Sequence, residues 1–180
     1  WIGLPESEHD RVAQMRKPSA APDLGKIDDI KTAAFLDRGS APGGRGSSAW
    51  RQLEIPSANM HATAAGLARM LTPLATGGTL DGQTILSEGV LAQATRERIH
   101  GPDKVLPFTL GWGAGLLRNA GLDIFGPNPE AVGHAGWGGS CAFADPATGI
   151  SAAYVMTRQS PYLLGDPRAL RLIKALYSAA

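Results

Sequence analysis

Residues 132–155 read VGHAGWGGSCAFADPATGISAAYV, and this stretch restricts the fold more than any other in the chain. Glycines occupy positions 133, 136, 138 and 139, around His134 and Trp137. Two runs of small and apolar residues follow, 141–144 and 150–157, joined by Asp145-Pro146-Ala147-Thr148-Gly149. Asp, Pro and Gly in that order make a short connection, so the two runs predict a β-hairpin. Bare backbone just before a hairpin means that a strand comes close to something. One candidate is a ligand. Backbone N–H groups there can hold a carbonyl oxygen as negative charge builds on it, and one such donor is worth roughly 3–4 kcal/mol in a barrier. The other is tight strand packing or a β-bulge, with no ligand at all. Composition leaves both open.

The rest of the chain sets the class. Leu67, Met70, Leu71 and Leu74 recur at helical spacing, so 63–75 predicts a helix with one apolar face, ended by Gly77-Gly78. Residues 80–83 read as a turn, and Ser87 can cap a second helix over 88–97. PFTLGWGAGLL at 107–117 reads as a strand. Asp166-Pro167 is a helix start, followed by an apolar stripe at Leu170, Ile173, Leu176 and Tyr177. Near the beginning, Pro5 can open a short helix that runs to Arg16-Lys17 and stops at Pro18. Residues 18–49, with SAPGGRGSS at 40–48, predict a surface connection rather than a lid. The order is helices, then antiparallel strands, then a C-terminal helix, which is an α+β fold. It divides into a helix and irregular segment over 1–62, part of a helical subdomain over 63–100, and a sheet with its closing helix over 101–180.

Several functions are excluded or left without support. Lysine plus arginine (17) and aspartate plus glutamate (16) nearly cancel, which leaves no footprint for nucleic acid or an anionic membrane. No apolar run approaches the length of a membrane span. His9, His61, His100 and His134 stand far apart with no ligand partner at a recognised spacing, so neither a metal nor a cofactor is expected. Gly111 to Gly115 lacks the helix and acidic residue of a dinucleotide site. Cys141, the single cysteine, excludes an intrachain disulfide and reads as a small core residue. Ser140 has no base beside it in sequence and reads as a structural hydroxyl. No serine is followed three residues later by lysine, and no tyrosine two residues later by asparagine.

The segment GHAGWGGSCAFADPATGISAAYVM resembles the C-terminal motif region of the serine β-lactamase and penicillin-binding-protein superfamily. It is most similar to the esterase branch, the family VIII carboxylesterases and β-lactamase-like lipases. Residues 49–87 resemble the helical segment of these esterases, LLGDPRALRLIKALY at 163–177 their terminal helix, and WIGLPESEHDRVAQM an interior segment. The resemblance implies a mechanism. A serine in Ser-x-x-Lys attacks an ester or amide carbonyl, the lysine and a tyrosine manage the proton, and water releases the acyl-enzyme. A third motif lines the cleft, Lys-Thr-Gly in the β-lactamases and often His-x-Gly in the esterases. Here it would be His134-Ala135-Gly136, and the next backbone N–H, that of Trp137, would be an oxyanion donor.

A lysine in the third motif carries fixed positive charge suited to a carboxylate, whereas an unperturbed histidine is largely neutral near pH 7. The histidine therefore argues for uncharged acyl esters over β-lactams, with Trp137 as an apolar wall. The nucleophile motif is absent from these 180 residues. The chain also begins Trp1-Ile2-Gly3-Leu4, with no initiator methionine and no leader pattern. The expectation is a C-terminal portion of a serine hydrolase, inactive alone, whose partners are a small ester substrate and either the missing half or a second copy. The alternative is a non-catalytic fragment that keeps the fold as a binding or self-association module. Location is open, with the cytoplasm as the default expectation.

Overall fold

Trp1 begins an irregular N-terminal third, in a computed structural model that describes residues 1–179. A 3-10 turn at Glu6–Arg11 follows Pro5. It stops at Val12 instead of reaching Lys17, because Arg16 leaves the helical path and pairs with the backbone of the 157–159 segment. The 18–49 stretch carries more structure than its proline and glycine content suggests. It holds α1 (Asp29–Lys31), further single turns over Thr32–Leu36 and Arg38–Ser40, and the start of α2 (Ser48–Gln52). Aspartate and serine caps make these turns: Asp28 accepts from the Lys31 N–H and Ser47 from the Trp50 N–H.

The two predicted helices form. In α3 (Ala64–Ala75) the Thr63 side chain accepts from the Gly66 N–H, and in α4 (Glu88–Thr95) Ser87 accepts from the Val90 N–H. Between them β1 (Thr79–Leu80) and β2 (Gln83–Thr84) make a small hairpin. Its Asp81 and Gly82 both take positive φ (49° and 77°), which suits a two-residue hairpin turn.

The sheet contains β3 (Ile99–Pro102), β4 (Thr109–Trp112), β5 (Leu117–Arg118), β6 (Val132–Ala135), β7 (Cys141–Asp145) and β8 (Ile150–Tyr154). All neighbours are antiparallel and sequential, in the order β3-β4-β5-β6-β7-β8. The predicted strand over 107–117 is two strands, because Gly113 turns the chain back: its N–H donates to the Leu116 carbonyl. The last helix, α5 (Pro167–Ala179), starts where Asp166-Pro167 placed it.

Helices cover both faces of the sheet. Strand side chains alternate between faces, and the two core clusters follow that alternation. Ala135, Cys141 and Phe143 pack with Ala169 and Ile173 of α5. Val132 and Ala144 pack with Leu74 and Ala75 of α3. Phe125 and Phe143 are fully buried and stacked with ring centroids 5.6 Å apart; burial of each is worth about 2–3 kcal/mol. Of the predicted α3 stripe, Leu74 is buried and Leu67 and Leu71 half-buried, but Met70 is 54 % exposed. The stripe is narrower than the spacing suggested.

Candidate active site

His134 and Ala135 lie on β6, a central strand with an opening on one side. Toward β7 all four residues of β6 are paired, from Val132↔Ala144 to Ala135↔Cys141. Toward β5 only Val132 and Gly133 are paired, since β5 is two residues long. The backbone from His134 onward is therefore unpaired on that side. By alternation His134 shares the α3 face of the sheet with Val132, and its side chain is exposed.

Residues 136–140 then form a closed turn. The Gly136 N–H donates to the Ser140 carbonyl (2.7 Å), Gly139 to Gly136 (3.0 Å) and Gly138 to Tyr162 (3.2 Å). Ser160 donates back to the Gly138 carbonyl at 2.8 Å. Within 136–139 the Trp137 N–H has no partner among the described residues. The glycines around it are needed for packing. A Cβ at Gly133 would stand 2.3 Å from the Ala142 carbonyl oxygen, and one at Gly139, where φ is +110°, would stand 2.0 Å from a carboxylate oxygen of Asp166. The glycine crowding thus has a packing cause, and the open donor is a separate feature that glycine content did not reveal.

The His134 ring has a defined tautomer. Its Nδ1 lies 2.8 Å from the Ala135 carbonyl oxygen, which can only accept, so Nδ1 carries the proton. In the neutral ring Nε2 is then an acceptor. Trp112 stands beside the ring, centroids 5.5 Å apart, and its own Nε1–H donates to Asp103 at 3.2 Å.

Trp137 is covered from an unexpected direction. Phe35 meets its ring edge-on at 5.3 Å, and the Arg45 guanidinium lies over it at 5.5 Å. Both come from the segment expected to be a plain connection. Nothing in its composition marks these two residues; only their placement against Trp137 does.

The remaining candidates are passive. Cys141 is buried, and burial pushes its thiol up to about 11, so it stays protonated near neutrality. Ser140 has no histidine, lysine or tyrosine hydrogen-bonded to its hydroxyl among the described residues, and its Oγ lies where a Gly136 side chain would be. Among the described residues no group of three His, Cys, Asp or Glu is placed to hold a metal. Among the described residues no helix is long and apolar enough to cross a membrane.

Two buried carboxylates hold the frame. Asp145 accepts from the Tyr177 hydroxyl (2.6 Å), Asn128 (2.7 Å), the Thr148 hydroxyl (2.9 Å) and the Ala147 N–H (2.9 Å). Burial pushes its carboxyl up, but the bonds from Tyr177, Asn128 and Thr148 outweigh that and hold it below the ordinary carboxylate value. Burial and the same bond raise the Tyr177 phenol. Asp166, behind Gly139, behaves alike. Burial raises it, and the Arg168 guanidinium and N–H more than reverse the shift.

An antiparallel sheet between helices, with a central strand opening onto a tight turn, is the α+β arrangement of the β-lactamase-like hydrolases. The chain belongs to the beta-lactamase family, whose profile matches residues 1–175. It is similar to a penicillin-binding protein homologue from Caulobacter crescentus, at 52 % identity and a TM-score of 0.93 over 100 % of this chain. It is also similar to a family VIII carboxylesterase, at 36 % identity and a TM-score of 0.88 over 99 % of this chain. These matches cover 48 % and 46 % of the two relatives. The esterase/beta-lactamase LipL of Mycobacterium tuberculosis is 40 % identical over 115 residues, 63 % of this chain and 26 % of that protein. The chain spans about half the length of the solved relatives it matches.

Proposed function

We propose that this chain is the C-terminal portion of a serine hydrolase that cleaves short acyl esters through an acyl-enzyme. It supplies the third-motif strand and one oxyanion donor. The unpartnered Trp137 N–H carries this reading, because it opens beside His134 and Gly136 at the end of a rigidly paired strand. An N–H held there by a closed turn needs no reorganisation when charge builds on a carbonyl oxygen. The nucleophile comes from a Ser-x-x-Lys segment outside these 180 residues, so the chain alone is inactive. An imidazole at position 134 lacks the fixed cation of a lysine, which favours an ester without a carboxylate next to the scissile bond.

The outer edge of β8 supports the need for a partner. Ile150 to Tyr154 pair with β7 on one side only, and such an edge invites a further strand. The strand is supplied by the segment that carries the nucleophile or by a second copy.

Fluorophosphonate labelling followed by denaturing intact-mass analysis tests the reading. The expected label is on a longer or separate polypeptide that contains Ser-x-x-Lys. A label on the 18.8 kDa chain itself would place the nucleophile within it and overturn the assignment. Equal efficiency of the intact enzyme on a penicillin and a short acyl ester would remove the argument from His134.

A further inference from the structure

The segment over Trp137 leaves an open cleft of about 450 Å³, within the size range of small-ligand sites. Phe35 and Arg45 line it and also touch the Trp137 ring, so they join the cleft to the candidate oxyanion donor. Arg38 contributes a second guanidinium. Neither Arg38 nor Arg45 belongs to an ion pair among the described residues. One acidic residue shares the lining, Asp37, and its carboxylate accepts from the Gly39 N–H at 2.8 Å. The cleft therefore combines an aromatic wall with excess positive charge.

Building on the esterase reading, we propose that this cleft is a carboxylate subsite. It takes the far end of an ester whose arm runs over Trp137 and ends in a carboxylate, as in a half-ester of a small dicarboxylic acid. Arg45 is the specificity-determining residue. Its guanidinium lies over the indole at 5.5 Å from the ring centroid, a contact that consumes none of its N–H donors, and those donors match a carboxylate in pairs. The cation that a third-motif lysine would carry is displaced to the far side of Trp137. A carboxylate beside the scissile carbonyl meets no lysine at position 134, whereas one several bonds away meets Arg45.

The test uses binding, which needs no nucleophile. The intact enzyme that contains this chain, labelled with nitrogen-15 and with its nucleophilic serine changed to alanine, is titrated with monomethyl succinate and, in parallel, with dimethyl succinate. The expected result is that monomethyl succinate shifts the Trp137 indole and Arg45 Nε–H signals and binds roughly fivefold more tightly than the diester, as an exposed ion pair allows. In Arg45→Gln the two esters bind alike, while Arg45→Lys keeps part of the difference. Equal binding of the two esters with Arg45 in place, or no shift with either, overturns the subsite. Failure of the fluorophosphonate label overturns the esterase reading instead, and the two failures are read in separate experiments.

Discussion

The two ends of β7 are built in opposite ways. At Asp145 the carboxylate collects hydrogen bonds from Tyr177, Asn128, Thr148 and Ala147, and α5 is tied to the β7–β8 hairpin. At Cys141 the strand begins from a turn in which three of the four N–H groups of 136–139 are used and that of Trp137 is not. One end is saturated and buried; the other keeps a donor open beside an exposed histidine. A buried polar group left unpaired costs about 1–3 kcal/mol, so saturation is what stability favours. An open donor is tolerated where solvent or a ligand can reach it. The contrast separates residues that hold the frame from a donor with no partner among the described residues.

The strongest test removes the saturated end. Asp145→Ala strands the Asn128 amide and weakens the hold on Tyr177, so we expect a loss of about 3 kcal/mol in urea unfolding. A loss below 1 kcal/mol would mean that the network is not what fastens α5. Gly139→Ala tests the turn at the Cys141 end. The added Cβ meets Asp166 at 2.0 Å with φ at +110°, and overpacking of this kind costs about 2 kcal/mol.

A pH series tests the same carboxylates without deleting them. Asp145 and Asp166 both have lowered folded values, so the unfolded chain binds more protons in acid. Their stabilisation is present above the unfolded carboxylate value of about 4 and is lost as pH falls through the folded values. Urea midpoints should decline below about pH 6.5, where burial of His61 lets the unfolded chain take its proton first, and fall further below about pH 5, and Asp166→Asn should flatten part of that lower fall. An equally steep fall in the variant would assign the acid sensitivity to other groups. At the open end the expected effect on stability is smallest. His134→Lys changes an exposed side chain and should shift unfolding by less than about 0.5 kcal/mol. A larger loss would mean that the Nδ1 bond to Ala135 is structural.

Much of this was legible in advance because it is local. Thr63, Ser87 and Asp166-Pro167 mark helix starts through the chemistry of the first turn, and Asp145 to Gly149 mark a hairpin by turn preference. The α+β class followed from the order of those elements, and the family from residues grouped in one stretch. The break at Gly113, beside which the Ala114 N–H donates to the Ala94 carbonyl, and the early end of the first helix, after which the Arg16 N–H donates to Thr157, were not legible, since each involves a carbonyl far along the chain.

By itself, then, the sequence determined where elements begin, which class they make, and that His134, Gly136 and Trp137 fall together at one strand end. Those are properties of neighbours along the chain. Only the tertiary structure decided that the Trp137 N–H stays open while its neighbours close, that Gly133 and Gly139 serve packing, and that Arg45 and Phe35 reach Trp137. Arg45 and Trp137 stand 92 positions apart. No periodicity or cap spans that distance. What brings them together is the packing of Phe35 and Arg45 against the Trp137 ring.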